Sequence, residues 1–371
     1  MNDNAANTFE EVKAKIEQGE LKRAISIAQG VLQSHPNVPD AHRLLAYAYL
    51  GAKRTADAMR HLETARSLGT TAQNEIAFGR MLRTHRYFEG ALSCFRAAVE
   101  LDPHNLDAQA LIAMTYESLG ELELATQHGQ ECLTNADRQA CQQPVDPLPF
   151  PDKVTEFDAR RRARNVIAFS LFGRGQFYYE CALASASMAL AIFPEWQCRF
   201  YCGADVPASL RNSLIRLRAQ VATSGSRKSM NWSGLFWRFL AFDDPDVDFV
   251  MVRDVDSPFT VRERLAVDDW LASEFPFHVI RDHRKHVEPM MAGLWGGRTG
   301  LLPPLAPMVG KFLPTAESRY CDQHFLRLHI WPLIRDITLA HDRYYTLRNS
   351  RRPPEHSTEN MTHIGFGLPR E

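Results

Sequence analysis

Several features that assign a protein to a class are missing from this sequence of 371 residues. No apolar run is long enough to span a bilayer, because the longest, around residues 182–193, is interrupted by serines. The N-terminus lacks the basic and apolar segments of a secretory signal. The seven cysteines form no Cys-x-x-Cys pair, which predicts reduced thiols that serve in packing. With 45% hydrophobic and 23% charged residues, the sequence predicts a soluble, cytoplasmic protein without a membrane span.

An excess of charge of one sign is also missing. The formal net charge is −1, with a slight acidic excess up to Ala140 and a mildly basic remainder. That remainder suits a small anionic ligand, but it is far too weakly basic for a nucleic-acid-binding surface. Neither a Gly-x-Gly-x-x-Gly motif nor a Walker phosphate loop is present, and Gly173-Arg174-Gly175 is too short to replace one. A nucleotide would therefore have to be held through a metal ion and arginines.

Small residues recur in the first 135 residues at nearly constant spacing. Four alanines are separated by 34, 33 and 34 residues: Ala24, Ala58, Ala91 and Ala125. A second series occupies equivalent positions one helix earlier: Ala46, Gly79 and Ala113. Small residues at fixed helical positions let two helices approach closely, and Pro36 and Pro103 end two of the helices. The pattern predicts a stack of paired helices from residue 5 to residue 135.

The segment from Ala91 to Pro103, with Phe95 and Ala98 between them, resembles the tetratricopeptide repeat. The resemblance extends over residues 5–135, although the second and fourth repeats lack the closing proline. It implies a concave face that binds a peptide or protein partner, or a surface for assembly into a homo-oligomer. A helical solenoid without a ligand is the alternative.

Residues 136–163 differ in composition from both flanking regions. Four prolines, at positions 144, 147, 149 and 151, interrupt any helix there. A basic stretch at 158–163 has a helical composition. We interpret the segment as an interdomain linker that ends in a short helix.

Strand-like and helix-like runs alternate from residue 164 to residue 371. The predicted strands are 164–173, 197–201, 220–223, 249–253 and 277–281. The predicted helices are 180–193, 207–219, 234–242, 261–274 and 321–334. This alternation implies a mostly parallel sheet with helices on both faces, so the predicted fold is a helical solenoid followed by an α/β domain.

The strand at 249–253 leads into Asp254-Val255-Asp256, and Pro258 ends the ladder because it has no N–H to donate. If the extended geometry continues, both carboxylates point the same way. They would lie at the carboxyl edge of the sheet, where open α/β folds bind ligands. Such oxygen ligands suit Mg²⁺ or Mn²⁺ holding a diphosphate, whereas a solvated acidic turn is the alternative.

Five segments follow one another in the second half. They are Trp237-Arg238-Phe239-Leu240, the strand with Asp254 and Asp256, residues 291–295 around Gly293, Asp322-Gln323, and residues 363–367 with His363. In this order they resemble the GT-A glycosyltransferases, most closely the retaining group of glycogenin and the lipopolysaccharide galactosyltransferases. The resemblance implies transfer of a sugar, with retention, from a nucleotide-diphosphate donor such as a UDP-sugar to an acceptor that the sequence does not identify.

The same resemblance implies roles for individual residues. Asp254 and Asp256 would bind Mn²⁺ or Mg²⁺, with His363 completing the metal shell. His341 is the alternative third ligand, or the metal could be held by the aspartates and water alone. Asp254 could instead hold the donor ribose or a metal-bound water. Two features depart from the group: Ala292 stands where a polar residue is usual, and the lysine and tryptophan after the late histidine are absent.

The donor would be contacted by several side chains. Arg238 would contact the donor phosphate or sugar, and Arg253 would add a charge-assisted hydrogen bond, although a helix-facing ion pair is the alternative for Arg253. Gly293 would line the sugar pocket. Ser170 and Arg174, at the end of the first strand, would lie near the base and ribose, with ordinary surface polarity as the alternative.

Four residues are candidates for catalysis. Asp322 and Gln323 would lie near the anomeric centre, although Asp322 could simply cap its helix. Asp282 and His283 follow the strand 277–281 and are candidates for acceptor binding or for a base. A solvated basic loop is the alternative for that segment, and a zinc pair of His283 with His286 is a further one.

Two other functions remain open. The protein could be a non-enzymatic adaptor that binds peptides through its repeats and carries a degenerate α/β domain. Nucleotidyl transfer also uses paired aspartates on such a sheet. It ranks lower because no glycine-rich, lysine-containing loop follows the first strand.

Overall fold

The fold comes from a computed structural model that describes residues 3–153, 155–173, 175–223, 233–316, 320–354 and 364. The chain forms two compact units, Met1–His128 and Gly129–Glu371. We call them the repeat unit and the sheet unit.

The repeat unit consists of helices that follow one another as hairpins. Their bounds are α1 Asp3–Glu17, α2 Leu21–Ser34, α3 Pro39–Gly51, α4 Thr55–Leu68, α5 Ala72–Thr84, α6 Phe88–Leu101, α7 Leu106–Leu119 and α8 Leu122–Cys141. Side-chain caps begin two of them: Thr71 Oγ1 accepts a hydrogen bond from Asn74 N at 3.2 Å, and Asn105 Oδ1 accepts one from Ala108 N at 3.0 Å. Gly120, at φ 82°, ends α7 in the left-handed conformation that favours glycine.

The recurring small residues lie where the helices meet. The four alanines of the first series, Ala24, Ala58, Ala91 and Ala125, are completely buried. At Gly79 a Cβ atom would lie only 2.5 Å from the ring of Phe95, so the two helices approach more closely than alanine would allow. The spacing read from the sequence therefore corresponds to the buried contacts of the repeat unit.

The segment after the repeats differs from its prediction. Helix α8 continues through Cys141 rather than ending near residue 135, and the unit boundary falls within it. The basic stretch 158–163 is not an α-helix, since only a single 3-10 turn, Arg162–Arg164, forms there. The proline-rich part packs on the sheet unit: Leu148 N donates to Leu333 O at 2.7 Å.

The sheet unit contains one eight-stranded sheet in the order β3-β2-β1-β4-β6-β5-β7-β8. The strands are β1 Asn165–Leu171, β2 Gln197–Cys202, β3 Gln220–Thr223, β4 Phe249–Arg253, β5 Phe277–Arg281, β6 Leu294–Arg298, β7 Thr338–Asp342 and β8 Ser350–Arg351. Strand β6 runs antiparallel to β4 and β5, and the other pairs are parallel. The sheet is thus mostly parallel, as predicted.

Three strands, β6, β7 and β8, were not predicted. Strand β6 contains Gly296 and Gly297, which have a low strand propensity. Strand β7 ends in His341 and Asp342, which look like loop residues in a sequence although both are buried. Their strand conformation follows from pairing with strands distant in sequence.

The helices of the sheet unit are α9 Gln176–Ile192, α10 Ala208–Arg216, α11 Val261–Leu271, α12 Leu305–Phe312, α13 Cys321–Phe325 and α14 Trp331–Ile334. The predicted helix at 234–242 is instead a long 3-10 helix, Ser233–Asp243. The predicted helix at 321–334 is interrupted by a π-helical segment, Leu326–Ile330, before Pro332. Proline has no N–H for the regular helical bond, which explains a local change of hydrogen bonding there.

Aromatic and aliphatic side chains fill the space between the sheet and its helices, and Trp196, Trp270 and Trp295 are completely buried. None of the seven cysteines, all within the described ranges, forms a disulfide, and all but Cys141 are buried. No helix within those ranges is long and apolar enough to cross a membrane.

Candidate active site at the carboxyl edge of the sheet

The candidate site lies where the adjacent parallel strands β1 and β4 end. Parallel strands bring their carboxyl ends to one edge, so Ser170 of β1 and Asp254 after β4 lie at the same edge of the sheet. The 3-10 helix adds Arg238, whose backbone N donates to Ser170 Oγ at 3.1 Å. Elements from three parts of the chain thus meet at the predicted ligand edge.

Arg238 is the centre of this site. Its guanidinium donates through Nη1 to Asp254 Oδ1 and, at 3.2 Å, to Arg253 O. Through Nη2 it donates to Asp322 Oδ2 at 3.0 Å. The residue is only 4% exposed, so one buried cation connects the end of β4 to helix α13.

The electrostatics of the three groups depend on burial. Burial disfavours the charged guanidinium, but Asp254 and Asp322 together raise the pKa of Arg238 above its usual value. Burial raises the pKa of Asp322, and Arg238 offsets that rise only in part. Arg238 therefore remains charged at neutral pH, while Asp322 takes up a proton more readily than an ordinary aspartate.

Gly293 lies directly against Asp254. A Cβ atom at this position would be 2.0 Å from Asp254 Oδ2, so only glycine leaves room for the carboxylate. The side chain of Gln323 holds this loop, because its Oε1 accepts from Ala292 N at 3.0 Å and its Nε2 donates to Met290 O. The side chain of Gln323 is thus engaged with the backbone, and its role near the anomeric centre stays a prediction.

The backbone of the segment Asp254-Val255-Asp256 differs from its prediction. Extended geometry ends at Arg253, and residues 255–256 form a turn in which Ser257 N approaches Asp254 O at 3.3 Å. Val255 and Ser257 are buried, whereas Asp254 and Asp256 are half-buried. Alternating burial therefore leaves both carboxylates accessible.

Arg253 does not reach the candidate site. Its Nε donates to Glu263 Oε1 at 2.5 Å and its Nη1 to Trp295 O at 2.9 Å. Both side chains of this ion pair are almost fully buried. The prediction that Arg253 contacts the donor is therefore wrong. Arg253 instead forms the helix-facing ion pair that was its alternative.

Asp282 also has internal partners. It is 1% exposed, pairs with Arg262 at 2.7 Å, and accepts a hydrogen bond from Ile364 N at 2.9 Å. A base must reach its substrate, so the prediction of Asp282 as a base is corrected: it anchors the chain at Ile364. His283 is half-buried, and its Nδ1 accepts from Lys285 N at 3.1 Å, so its role stays a prediction.

The third metal ligand was predicted to be His363 or, alternatively, His341. His363 lies outside the described residues, as does Arg174. His341 is completely buried between His278 Nε2, at 2.6 Å, and Asp269 Oδ2, at 3.0 Å. These contacts engage both of its ring nitrogens, which argues against the alternative.

The loop after β1 is shaped by residues that the sequence did not single out. Gly173 N donates to Asp205 Oδ2 at 2.6 Å, and Tyr179 Oη donates to Gly173 O at 2.7 Å. Beside it, the rings of Phe172 and Trp237 pack edge to face at 5.7 Å. The sequence pointed to this loop only through a short Gly-x-Gly fragment and the candidate donor residues Ser170 and Arg174 at the end of the first strand.

Comparison with known families bears on the repeat unit. Two family models described as tetratricopeptide repeat match residues 15–72 and 76–140. The N-terminal region contains tetratricopeptide repeats. This agrees with the helical hairpins and with the buried small residues at intervals of 33 and 34 positions. No match to a curated protein was found.

Several solved structures resemble parts of the chain. MamA from Desulfovibrio magneticus is 19% identical over 36% of this chain and 75% of that chain, with a TM-score of 0.30. YrrB, a tetratricopeptide protein with an unusual peptide-binding site, is 18% identical over 35% and 73%, with a TM-score of 0.27. The O-GlcNAc transferase of Thermobaculum terrenum is 18% identical over 60% of this chain and 42% of that chain, with a TM-score of 0.34. These TM-scores are too low to carry a functional conclusion.

Proposed function

We propose that the sheet unit is a metal-dependent glycosyltransferase of the GT-A type, which transfers a sugar from a nucleotide-diphosphate donor, a UDP-sugar, with retention. One observation carries the proposal: buried Arg238 joins Asp254 to Asp322 at the carboxyl edge of the sheet, with Gly293 against the same carboxylate. Four of the five segments contribute a residue to this cluster, which supports the proposal.

The residues present fit a divalent cation. Within the described ranges no three side chains of the metal-binding types cluster. Magnesium, however, commonly uses one or two carboxylates and takes its other ligands from phosphates and water. Half-buried Asp254 and Asp256 would supply the protein ligands, and His363 stays a prediction. When bound, Mn²⁺ or Mg²⁺ would neutralise negative charge on the departing diphosphate.

The chain's own residues have separable tasks. Arg238 orients Asp254 and places a fixed positive charge beside the donor. Asp322 faces the same space and, when ionised, stabilises positive charge that develops on the sugar. Gly293 leaves room for the Asp254 carboxylate at the donor edge. Because Asp282 is buried in an ion pair, retention is favoured over an inversion that would use it as the base.

The tetratricopeptide repeats would bind a protein partner, either the acceptor itself or a subunit of an assembly. Stacked repeats form extended concave surfaces that suit this task. The acceptor could then be a protein or peptide that the repeat unit holds while the sheet unit acts on it.

A second function, a non-enzymatic adaptor, is favoured by one specific observation. Arg238 already forms an ion pair with Asp254, so the carboxylate is neutralised without a metal ion. In an adaptor this pair would be permanent, and the sheet unit would bind neither metal nor nucleotide.

Calorimetric titration of the full-length protein with UDP separates the two functions. The transferase requires UDP binding that strengthens in the presence of Mn²⁺. Absence of metal-dependent binding contradicts the transferase and supports the adaptor.

The role of Asp256 is tested by Asp256→Asn. We expect at least about a hundred-fold loss of Mn²⁺-dependent turnover of the nucleotide sugar, comparable to the loss of one strong electrostatic contact to a transition state. Asp246→Asn is the matched control, because Asp246 is 92% exposed in the same unit, and it should retain full activity. Full activity of Asp256→Asn would exclude that carboxylate as a metal ligand.

A further inference from the structure

A second pocket opens at the opposite, amino edge of the sheet. Its volume is about 740 Å³, and its walls include Phe157, Leu271 and Arg298. Arg298 is paired in register with Phe249, the first residue of β4, whereas Asp254 follows the last residue. A strand of five residues spans roughly 16 Å, so this pocket is distinct from the candidate active site.

Arg298 is the unusual residue of this pocket. It is 7% exposed, and its guanidinium lies over the ring of Phe249 at 5.5 Å. No hydrogen-bond acceptor or ion-pair partner contacts that guanidinium in the part of the chain that the structure describes. Burial lowers its pKa, although Glu156 partly counteracts the effect.

The other buried arginines of the described residues all have a carboxylate partner. The pairs are Arg238 with Asp254 and Asp322, Arg253 with Glu263, Arg281 with Asp342, and Arg327 with Glu288. A buried charge without a partner is costly, which is why such pairs are the rule. An anionic group of a ligand would give Arg298 the partner that the protein does not supply.

The rim of the pocket carries the opposite charge. Glu156, Asp268 and Glu274 line it together with Glu195 and Arg264. Arg264 is engaged, since it pairs with both Glu195 and Asp268. Glu156 and Glu274 are exposed, so they present carboxylates at the mouth.

This arrangement specifies the chemistry of a ligand. A carboxylate would meet Arg298 at the buried end, an aliphatic part would contact Phe157 and Leu271, and positive charge would lie at the acidic rim. We propose that the pocket binds a basic amino acid, of which L-lysine and L-arginine are the simplest examples. This proposal does not rest on the proposed sugar transfer. A lysine molecule would occupy only part of the pocket volume of about 740 Å³.

The test is calorimetric titration of the full-length protein with three related probes. L-Lysine carries the carboxylate and both amines, cadaverine lacks the carboxylate, and hexanoate lacks the amines. We expect lysine to bind at least ten-fold more tightly than either analogue. Equal affinities for lysine and cadaverine would overturn the proposal. It would also be overturned if neither lysine nor arginine binds saturably up to about 10 mM, where a millimolar site would be largely filled.

Arg298→Gln should weaken lysine binding at least ten-fold and remove its advantage over cadaverine. Arg216→Gln is the control, because Arg216 is an exposed arginine of the same unit that contacts Ser213, and it should bind lysine normally. Unchanged lysine binding by folded Arg298→Gln contradicts the proposal.

A second variant tests the proposed binding of a basic amino acid even if Arg298→Gln does not fold. The double variant Glu156→Gln, Glu274→Gln changes only exposed side chains. It should weaken lysine binding several-fold without weakening the binding of hexanoate, because the acidic rim repels that anion. Equal affinities of this variant and the wild type for lysine would overturn the role of the acidic rim and, with it, the basic amino acid as ligand.

Discussion

The repeat unit and the sheet unit differ in what they bury. Of the twenty buried polar or charged residues among those described, three lie in the repeat unit: His42, Glu75 and Thr115. The other seventeen lie in the sheet unit, and many of them form ion pairs. Both units have a hydrophobic core, but the sheet unit also buries many charged side chains that need partners, whereas the repeat unit buries few.

This difference determines which substitutions each unit tolerates. In the repeat unit, adding a methyl group where two helices touch should be more damaging than changing a charge. In the sheet unit, removing one member of a buried pair should be the most damaging change, because the other member stays buried and charged. The expected effects below run from the largest to the smallest.

The largest effect is expected for Arg253→Met, which leaves Glu263 buried without its cation. We expect a loss of about 3–5 kcal/mol in the free energy of unfolding, measured by urea titration followed by tryptophan fluorescence. The double variant Arg253→Met, Glu263→Met should recover most of that stability, since no buried charge remains. A single variant that loses less than about 1 kcal/mol would show that this pair is not a principal contributor.

The matching test in the repeat unit is Gly79→Ala, whose Cβ would lie 2.5 Å from the ring of Phe95. Overpacking of this kind typically costs about 1–3 kcal/mol, measurable by circular dichroism during urea unfolding. Gly30→Ala is the control, because no atom lies within 4 Å of its Cβ position, and it should stabilise α2 by about 0.5–1 kcal/mol. Equal effects of the two variants would contradict a repeat unit held together by close fit.

Gly293→Ala applies the same steric change beside Asp254. The nearest atoms are Asp254 Oδ2 at 2.0 Å and the backbone N of Asp254 at 3.0 Å, so the added methyl displaces chiefly the carboxylate. We expect Mn²⁺-dependent UDP binding to weaken about ten-fold, equivalent to about 1.4 kcal/mol. Gly310→Ala in α12, where no atom lies within 4 Å, should leave binding unchanged. Normal UDP binding by Gly293→Ala would show that Gly293 is not part of the donor site.

The last effect, a change with pH rather than the result of a substitution, concerns two buried histidines. Burial lowers the pKa of His278 well below its usual value and also lowers that of His341. Below about pH 6.5 the unfolded chain therefore binds more protons than the folded one, and the sheet unit loses stability as the pH falls, by ~1.4 kcal/mol for each unit of pKa depression.

Hydrogen exchange of β5 and β7 at pH 7 and pH 5 measures this loss. His278→Asn should reduce the difference between the two pH values, whereas His104→Asn, which alters an exposed histidine of the repeat unit, should not. A pH dependence that His278→Asn leaves unchanged would assign the titration to other groups.

The sequence by itself determined the features that depend on short-range periodicity. Alanines at intervals of 33 and 34 residues predicted the helical hairpins, because small residues must recur wherever the repeats pack. Alternating apolar runs predicted five of the strands. The order of five segments indicated that Arg238, Asp254 and Asp322 belong to one site.

Tertiary structure decided which charged groups meet. Arg238 and Arg253 both precede Asp254 closely in the sequence, yet one pairs with Asp254 and Asp322 and the other with Glu263. Strand β6, which positions Arg298, was not predicted, because its glycines form a strand only between β4 and β5. Periodicity reports which face of an element is buried, whereas an ion pair between residues 84 positions apart, such as Arg238 and Asp322, depends on how the whole unit folds.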